Sequence, residues 1–302
     1  MIVFASSIRE PADYAAHAQP GIERVAEPGS AVLAFAAAGS VCRSYNLLLD
    51  QAARHEGLEA LVLVGQDMEI ADPDFCAKVR AALADREVAL VGCVGATGVQ
   101  TAAWWDGAVY SGNVIHRYGE YGGGDLDAYA WGRVGRPPAE VEAVDGHLLV
   151  LSPWAARELR FDEELHNGVG FEVDFAARVR QAGRKVVVAD LHVIHHRDID
   201  LVGDLDVWTE GHLELAKKWD GRLPGAPPRP EDWKQRARLA EAEREAARAQ
   251  AYSVFSRREA QLVPLERELS AMTETTGWKL TAPLRQLNAL RRRARAGSRP
   301  AR

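Results

Sequence analysis

Between residues 145 and 196 the chain concentrates groups that can exchange a proton or hold a cation: Asp145, Asp162, Glu172, Asp174, His192, His195 and His196. Carboxylates and imidazoles together suit two tasks. One is accepting a proton from a hydroxyl; the other is supplying oxygen and nitrogen ligands to a divalent ion. Their setting supports this reading. Val144-Asp145-Gly146-His147 leads into an apolar run, Phe171-Glu172-Val173-Asp174 opens a helical pattern, and His195-His196 closes an apolar segment. A further acid stands upstream, in Gly65-Gln66-Asp67-Met68-Glu69-Ile70.

These residues need elements to bring them together. Leu61-Val62-Leu63-Val64 is a short continuous apolar run, the pattern of a buried parallel strand. Asp67 follows its carboxyl end, where open α/β sheets bind their ligands. Residues 178–188 read as a helix end, a turn at Gly183 and a buried strand, which returns the histidines to the edge where the acids sit. Strands are also expected at 2–5, 22–26, 88–94 and 147–151, and helices at 11–17, 44–54, 73–83 and 173–181, with Asp72 as N-cap of the third. From Gly95 to Pro138 the chain is rich in Gly, Trp and Tyr and poor in periodicity. It is expected to be a functional insertion over the site rather than a packed layer. The alternation predicts an α/β fold with a mostly parallel sheet flanked by helices.

Ser44-Tyr45-Asn46, Gly65-Gln66-Asp67-Met68-Glu69-Ile70, Val91-Gly92-Cys93-Val94-Gly95-Ala96, Trp104-Trp105 and Asp145-Gly146 follow one another in the chain. After them come Arg160-Phe161-Asp162-Glu163, Asp174-Phe175, Ala182-Gly183-Arg184-Lys185-Val186 and His195-His196. In that joint order, residues 1 to 222 resemble glycosyltransferase family 2, with its Rossmann-like GT-A fold. The resemblance is to a bacterial branch in which Asp-x-Asp is reduced to Gln66-Asp67. It implies inverting transfer from a nucleotide-sugar donor to a cell-envelope or polysaccharide acceptor, glycan or lipid-linked, with a divalent cation, Mn2+ or Mg2+, as cofactor. Such a cation neutralises the leaving diphosphate and a carboxylate deprotonates the acceptor.

By the same resemblance Asp67 is the first metal ligand; His195 or His196 can be the second, since imidazole suits manganese, with His195 preferred and His196 then at the donor or acceptor. Gln66 and Asn46 belong to the donor site, and Glu27, in Glu27-Pro28-Gly29-Ser30, touches the nucleotide. Glu172 occupies the position of the general base, where the family carries Asp. The extra methylene moves the carboxylate by roughly an ångström, a displacement that can lower the rate or abolish it. Asp174 is the second acid of that pair, as a catalytic partner or as an anchor of the helix. Asp145-Gly146 offers an acid for sugar hydroxyls and backbone clearance for a close approach. Trp104 and Trp105, with Trp131 and Trp154, can stack on sugar faces or serve as loop core.

Plainer readings stand beside these. Asp67 can be a turn acid, His195 and His196 strand-end histidines satisfied by backbone, and Glu172 and Asp174 complements to a helix dipole. The competing function is a non-catalytic glycan- or nucleotide-binding module tethered by its tail. A nucleotidyltransferase would carry a Gly-rich, basic phosphate loop after the first strand, which Ala5-Ser6-Ser7-Ile8-Arg9 does not provide.

The 302 residues, 47% of them hydrophobic, suffice for one large domain with an appendage. Residues 223–232 form a Pro/Gly-rich linker between the domain at 1–222 and a helical tail at 233–302. Charge divides at the same place: the tail carries a net +9 and the remainder −15. The acidic domain argues against nucleic acid as its partner. The basic tail suits an anionic membrane surface or a protein partner. Ala251, Phe255, Leu262, Leu265, Leu269 and Met272 follow steps of three and four, a short coiled-coil seam that Pro264 should kink. Three scattered cysteines, no apolar run of about 18 residues and no basic leader suggest a cytoplasmic protein, peripheral to the inner membrane face.

Overall fold

The computed structural model describes residues 1–119, 124–197, 202–219, 234–283 and 285. The expected linker and the C-terminal residues 286–302 of the tail lie outside them. The side chains of His166, Lys234, Gln235, Arg236, Leu239 and Glu243 are likewise not described.

A seven-stranded sheet forms the centre of the core. Its order is Ala139–Val141, Lys185–Val188, Val88–Gly92, Leu148–Leu151, Ala60–Val64, Ile2–Ile8 and Ala31–Ala36. Three of these strands, Ala60–Val64, Val88–Gly92 and Leu148–Leu151, are buried along their whole length, and Phe4, Leu61, Leu63, Leu149 and Val150 are at most 1% exposed. Burial of each such side chain contributes roughly 1.5–3 kcal/mol. Helices cover the sheet, among them Val41–Ala52, capped by the Ser40 hydroxyl, and Phe171–Gln181.

The α/β class is as expected, but the sheet is mixed. Ile2–Ile8 pairs in parallel with both its neighbours, and Lys185–Val188 in parallel with Val88–Gly92. Leu148–Leu151 runs antiparallel between Ala60–Val64 and Val88–Gly92. Apolar runs buried on both faces look alike in either direction, so composition did not reveal this reversal. Its consequence is local: the chain enters Leu148–Leu151 at the edge where the parallel strands end. Gly65 N–H donates to the His147 carbonyl there (2.9 Å).

Three other expectations are corrected. Residues 22–25 end the helix Gln19–Val25, whose inner face is Ile22 and Val25, and Ala26 is its C-cap; the next strand is Ala31–Ala36. Asp72 does not cap a helix. It staples its loop by accepting from Asp74 N–H (3.0 Å), His192 N–H (3.0 Å) and Lys78 (2.7 Å). The described residues between Gly95 and Pro138 form a packed layer. It supplies strands to two four-stranded sheets, one including Val94–Thr97 and Ala108–Ser111, the other Val114–Tyr118 and Gly124–Asp127. The second of these also takes Met68–Ile70 and Val193–His195.

The helix Lys234–Glu274 is assigned without a break through Pro264. It docks on the domain through Ala242, Ala246, Ala249 and Ala260, all at most 1% exposed. Tyr252 stacks on Trp131 with ring centroids 5.3 Å apart. Phe255, Leu262, Leu265, Leu269 and Met272 face solvent.

Candidate active site

Asp67 lies in the turn between Ala60–Val64 and Met68–Ile70, so the turn that ends a central strand also starts an edge strand of the second sheet. Register within that sheet places His195 opposite both Met68 and His116. The reversed strand brings His147 to the same point. As a result Asp67, His147 and His195, widely separated in sequence, offer three ligand atoms that all lie within 4.8 Å of one another. His195 Nε2 is 3.5 Å from an Asp67 oxygen, and the His147 ring stacks on His195 at 4.3 Å.

The protonation states suit a cation. Burial alone would raise the Asp67 carboxyl, but the His195 hydrogen bond and the fields of His195 and His147 outweigh it and hold Asp67 well below the usual carboxylate range. Burial, and then His147, push the His195 imidazole down, toward its neutral form. An ionised carboxylate and a neutral imidazole are forms that ligate a metal. The donor set, one oxygen and two nitrogens, fits Mn2+ and Mg2+ less strictly than an all-oxygen cage would, and Mn2+ better than Mg2+.

Asp67 forms part of the wall of a cavity of about 440 Å3, together with Gln66, Asp145, Gly146, His147 and Glu172. Asp145 is 4% exposed and fixed at both oxygens, accepting from Tyr129 O–H (2.7 Å) and His147 N–H (2.7 Å). Gly146 is required by packing, since a Cβ there would lie 2.6 Å from the Phe171 ring. Glu172 stands in the first turn of its helix, after Gly170 in the left-handed region (φ 70°). Burial, followed by repulsion from Asp145, raises its carboxyl to about 8. Trp104 and Trp105 close one side, with Trp104 tilted against Tyr129 at 5.0 Å.

Gln66 serves the site indirectly. Its side-chain carbonyl accepts from the N–H groups of Arg9 (2.7 Å) and Glu10 (3.0 Å), tying the end of the first strand to the Asp67 turn. That tie puts Arg9, the cavity's one lining Arg or Lys among the described residues, at its mouth.

Four expected site residues lie elsewhere. Glu27 precedes the Ala31–Ala36 strand instead of following it, and it pairs with Arg80 (2.9 Å) away from the cavity. Asn46 clamps the distant turn at residues 161–163, accepting from Phe161 N–H (2.8 Å) and donating to the Phe161 carbonyl and Glu163 (2.9 Å each). Asp174 is 1% exposed and bound by Trp219 Nε1–H (2.7 Å) and Lys218 (2.6 Å), so it anchors the Leu205–Lys218 helix. His196, next to His195 on an extended strand end, faces the other way. It meets Glu69 at 2.8 Å and stacks on His17 at 3.9 Å. Of the other tryptophans, Trp154 lies under the Arg184 guanidinium (4.9 Å) and Trp131 under Tyr252. His147, His116, Tyr129 and Arg9 carried no local signal beyond the first residue's closeness to Asp145.

Residues 22–202 match a family described as "Glycosyltransferase like family". The streptomycin biosynthesis protein StrF of Streptomyces griseus is 34% identical over 209 residues, covering 66% of this chain and 68% of that protein. Among solved structures, the mannosyltransferase PcManGT from Pyrobaculum calidifontis, in complex with GDP-Man and Mn2+, has 14% identity and a TM-score of 0.44. The likeness covers 92% of this chain and 81% of that one. GalNAc-T7 with UDP, GalNAc and Mn2+ has 10% identity and a TM-score of 0.47, over 73% and 48% of the two chains.

Proposed function

We propose, from the premise that the chain belongs to the glycosyltransferase-like family and is a nucleotide-sugar-dependent glycosyltransferase, that transfer takes place in the Asp67 cavity with inversion and with Glu172 as general base. The observation carrying this reading is the meeting of an ionised Asp67, two imidazoles and a carboxyl of raised pKa around one cavity.

Asp67, His195 and His147 would hold a divalent cation, Mn2+ or Mg2+, which when bound supplies charge neutralisation for the departing diphosphate. Arg9 adds a positive charge to a wall otherwise lined by three acids, Asp67, Asp145 and Glu172. Glu172, once ionised, takes the proton of the acceptor hydroxyl as that oxygen forms its bond to the sugar. Asp145, immobilised by Tyr129 and the backbone, orients sugar hydroxyls, and Trp104 and Trp105 provide an apolar face for the ring.

Following the family resemblance, the acceptor hydroxyl belongs to a cell-envelope or polysaccharide glycan, lipid-linked or free. No helix among the described residues is long and apolar enough to cross a membrane. The basic C-terminal stretch would hold the enzyme to an anionic membrane surface or partner, and the exposed heptad stripe from Phe255 to Met272 would pair with another helix. A screen of nucleoside diphosphates and sugar nucleotides for thermal stabilisation, with and without Mn2+, tests the central claim. A true ligand raises the melting temperature by mass action, and Asp67→Ala should abolish the Mn2+-dependent part. Undiminished Mn2+-dependent stabilisation of that variant would remove Asp67 from the cation site.

A further inference from the structure

The strand Val114–Tyr118 carries a histidine into one of the most enclosed places in the molecule. His116 is 1% exposed, and parallel register sets it beside His195. Their Nδ1 atoms are 2.9 Å apart, with the rings crossed at 78°. The remaining nitrogen of His116, Nε2, is buried without a hydrogen-bond partner among the described residues. The ring rests edge-on against Tyr129, whose hydroxyl holds Asp145.

Two ring nitrogens at this distance share one proton, so one donates and the other accepts. Each neutral imidazole has one N–H and one lone pair. With one proton between the two Nδ1 atoms, the arrangement is a choice between two tautomer pairs. In one, His116 Nδ1–H donates to His195 Nδ1, and His195 presents Nε2–H to Asp67. In the other, His195 Nδ1–H donates to His116 Nδ1. That frees the His195 Nε2 lone pair on the side where Asp67 and His147 converge.

We infer that His116 is a positioning residue that holds His195 in the tautomer able to ligate a cation. This inference rests on the reading of Asp67, His147 and His195 as the cation site. In the absence of a cation the first tautomer pair is favoured, because a lone pair facing the Asp67 carboxylate is repelled. A bound cation would favour the second pair, in which the shared proton is on His195 Nδ1, His195 Nε2 is bare and the other proton of the pair is on His116 Nε2. The number of protons on the pair is unchanged. Metal-ligating histidines are commonly oriented by a second group on their other nitrogen, and loss of that partner typically costs 10–100-fold in metal affinity. Here the partner is another imidazole, supplied by the 95–138 layer, which gives that layer a role at the site.

The full-length protein allows a test that does not depend on turnover. Mn2+ affinity, measured by electron paramagnetic resonance, should fall 10–100-fold in His116→Phe, which fills the space but accepts no hydrogen bond. It should fall less in His116→Asn, whose side-chain oxygen can still accept. Nitrogen-15 spectra of the unmutated protein give a second readout that needs no variant. With Mg2+ added, His195 should be protonated at Nδ1 and unprotonated at Nε2, and without it the reverse. His116→Phe binding Mn2+ as tightly as the unmutated protein would overturn the inference, as would a Mg2+-loaded His195 still protonated at Nε2. Failure of the unmutated protein to bind Mn2+ or Mg2+ would overturn the cation site itself, and this inference with it.

Discussion

If Glu172 is the base, as proposed, replacing it by Gln removes the proton acceptor while keeping shape and hydrogen-bonding capacity, and two independent pH profiles should then change. Burial and the nearby Asp145 raise the Glu172 carboxyl from 4.5 to about 8. If the ionised form is the base, roughly a tenth of the enzyme is competent at pH 7. Turnover should then climb about tenfold per pH unit and level off above about 8. Glu172→Gln should lose about 100- to 10,000-fold in kcat at the plateau with donor affinity preserved.

Stability should respond with a definite sign. Below pH 4.5 the carboxyl is protonated in folded and unfolded chains alike. Between 4.5 and about 8 only the unfolded chain ionises, so the folded chain holds the extra proton and stability falls as pH rises. At about 1.4 kcal/mol per unit the whole window sets an upper bound of about 5 kcal/mol, which water in the cavity reduces because Glu172 is partly exposed to it. Urea unfolding of both proteins should therefore give similar stabilities near pH 4.5, with the variant more stable by a few kcal/mol at pH 8.5. A pH-independent rate between 6 and 9, or a variant with unchanged turnover, would refute the assignment. Asp145, the other carboxylate on that side of the cavity, would then be the base to examine, since Asp174 is bound to Lys218 and Trp219.

Gly146→Ala should displace the Phe171 ring, which sits 2.6 Å from the new Cβ, and with it the start of the Glu172 helix. We expect a loss of about 1–3 kcal/mol in denaturant unfolding and roughly 100-fold in kcat, with donor affinity nearly intact. Truncation after Pro230 uncovers the surface under Ala242, Ala246, Ala249 and Ala260. At about 0.8 kcal/mol per buried methyl group this costs about 3 kcal/mol, or about 6–12 °C in melting temperature, while donor binding persists. If the basic C-terminal stretch meets anionic lipid, the full-length protein should sediment with anionic liposomes at low salt and be released as salt rises. Equal sedimentation of full-length and truncated protein would exclude that role.

The sequence by itself determined the features that depend on neighbours in the chain. The run Leu61-Val62-Leu63-Val64 had to be buried strand, Asp67 had to follow its end, and Gly183, at φ 73°, had to turn the chain between the Phe171–Gln181 helix and the Lys185–Val188 strand. Apolar periodicity and glycine's access to left-handed backbone are local properties and survive reading one residue at a time. Glu172 in the first turn of that helix was legible for the same reason, as was the pairing of Gln66 with Asp67. What tertiary structure decided is pairing between distant segments. The direction of Leu148–Leu151 brought His147 to Asp67, and register across three strands set His116 against His195. A strand buried on both faces carries no mark of its direction or its neighbour, and a histidine such as His116, in a strand of alternating burial, carries no mark of what it will meet. The same limit misplaced Glu27, Asn46, Asp174 and His196. Each has a residue type suited to the chemistry, but each side chain was directed by packing to Arg80, Phe161, Trp219 or Glu69 instead of the cavity.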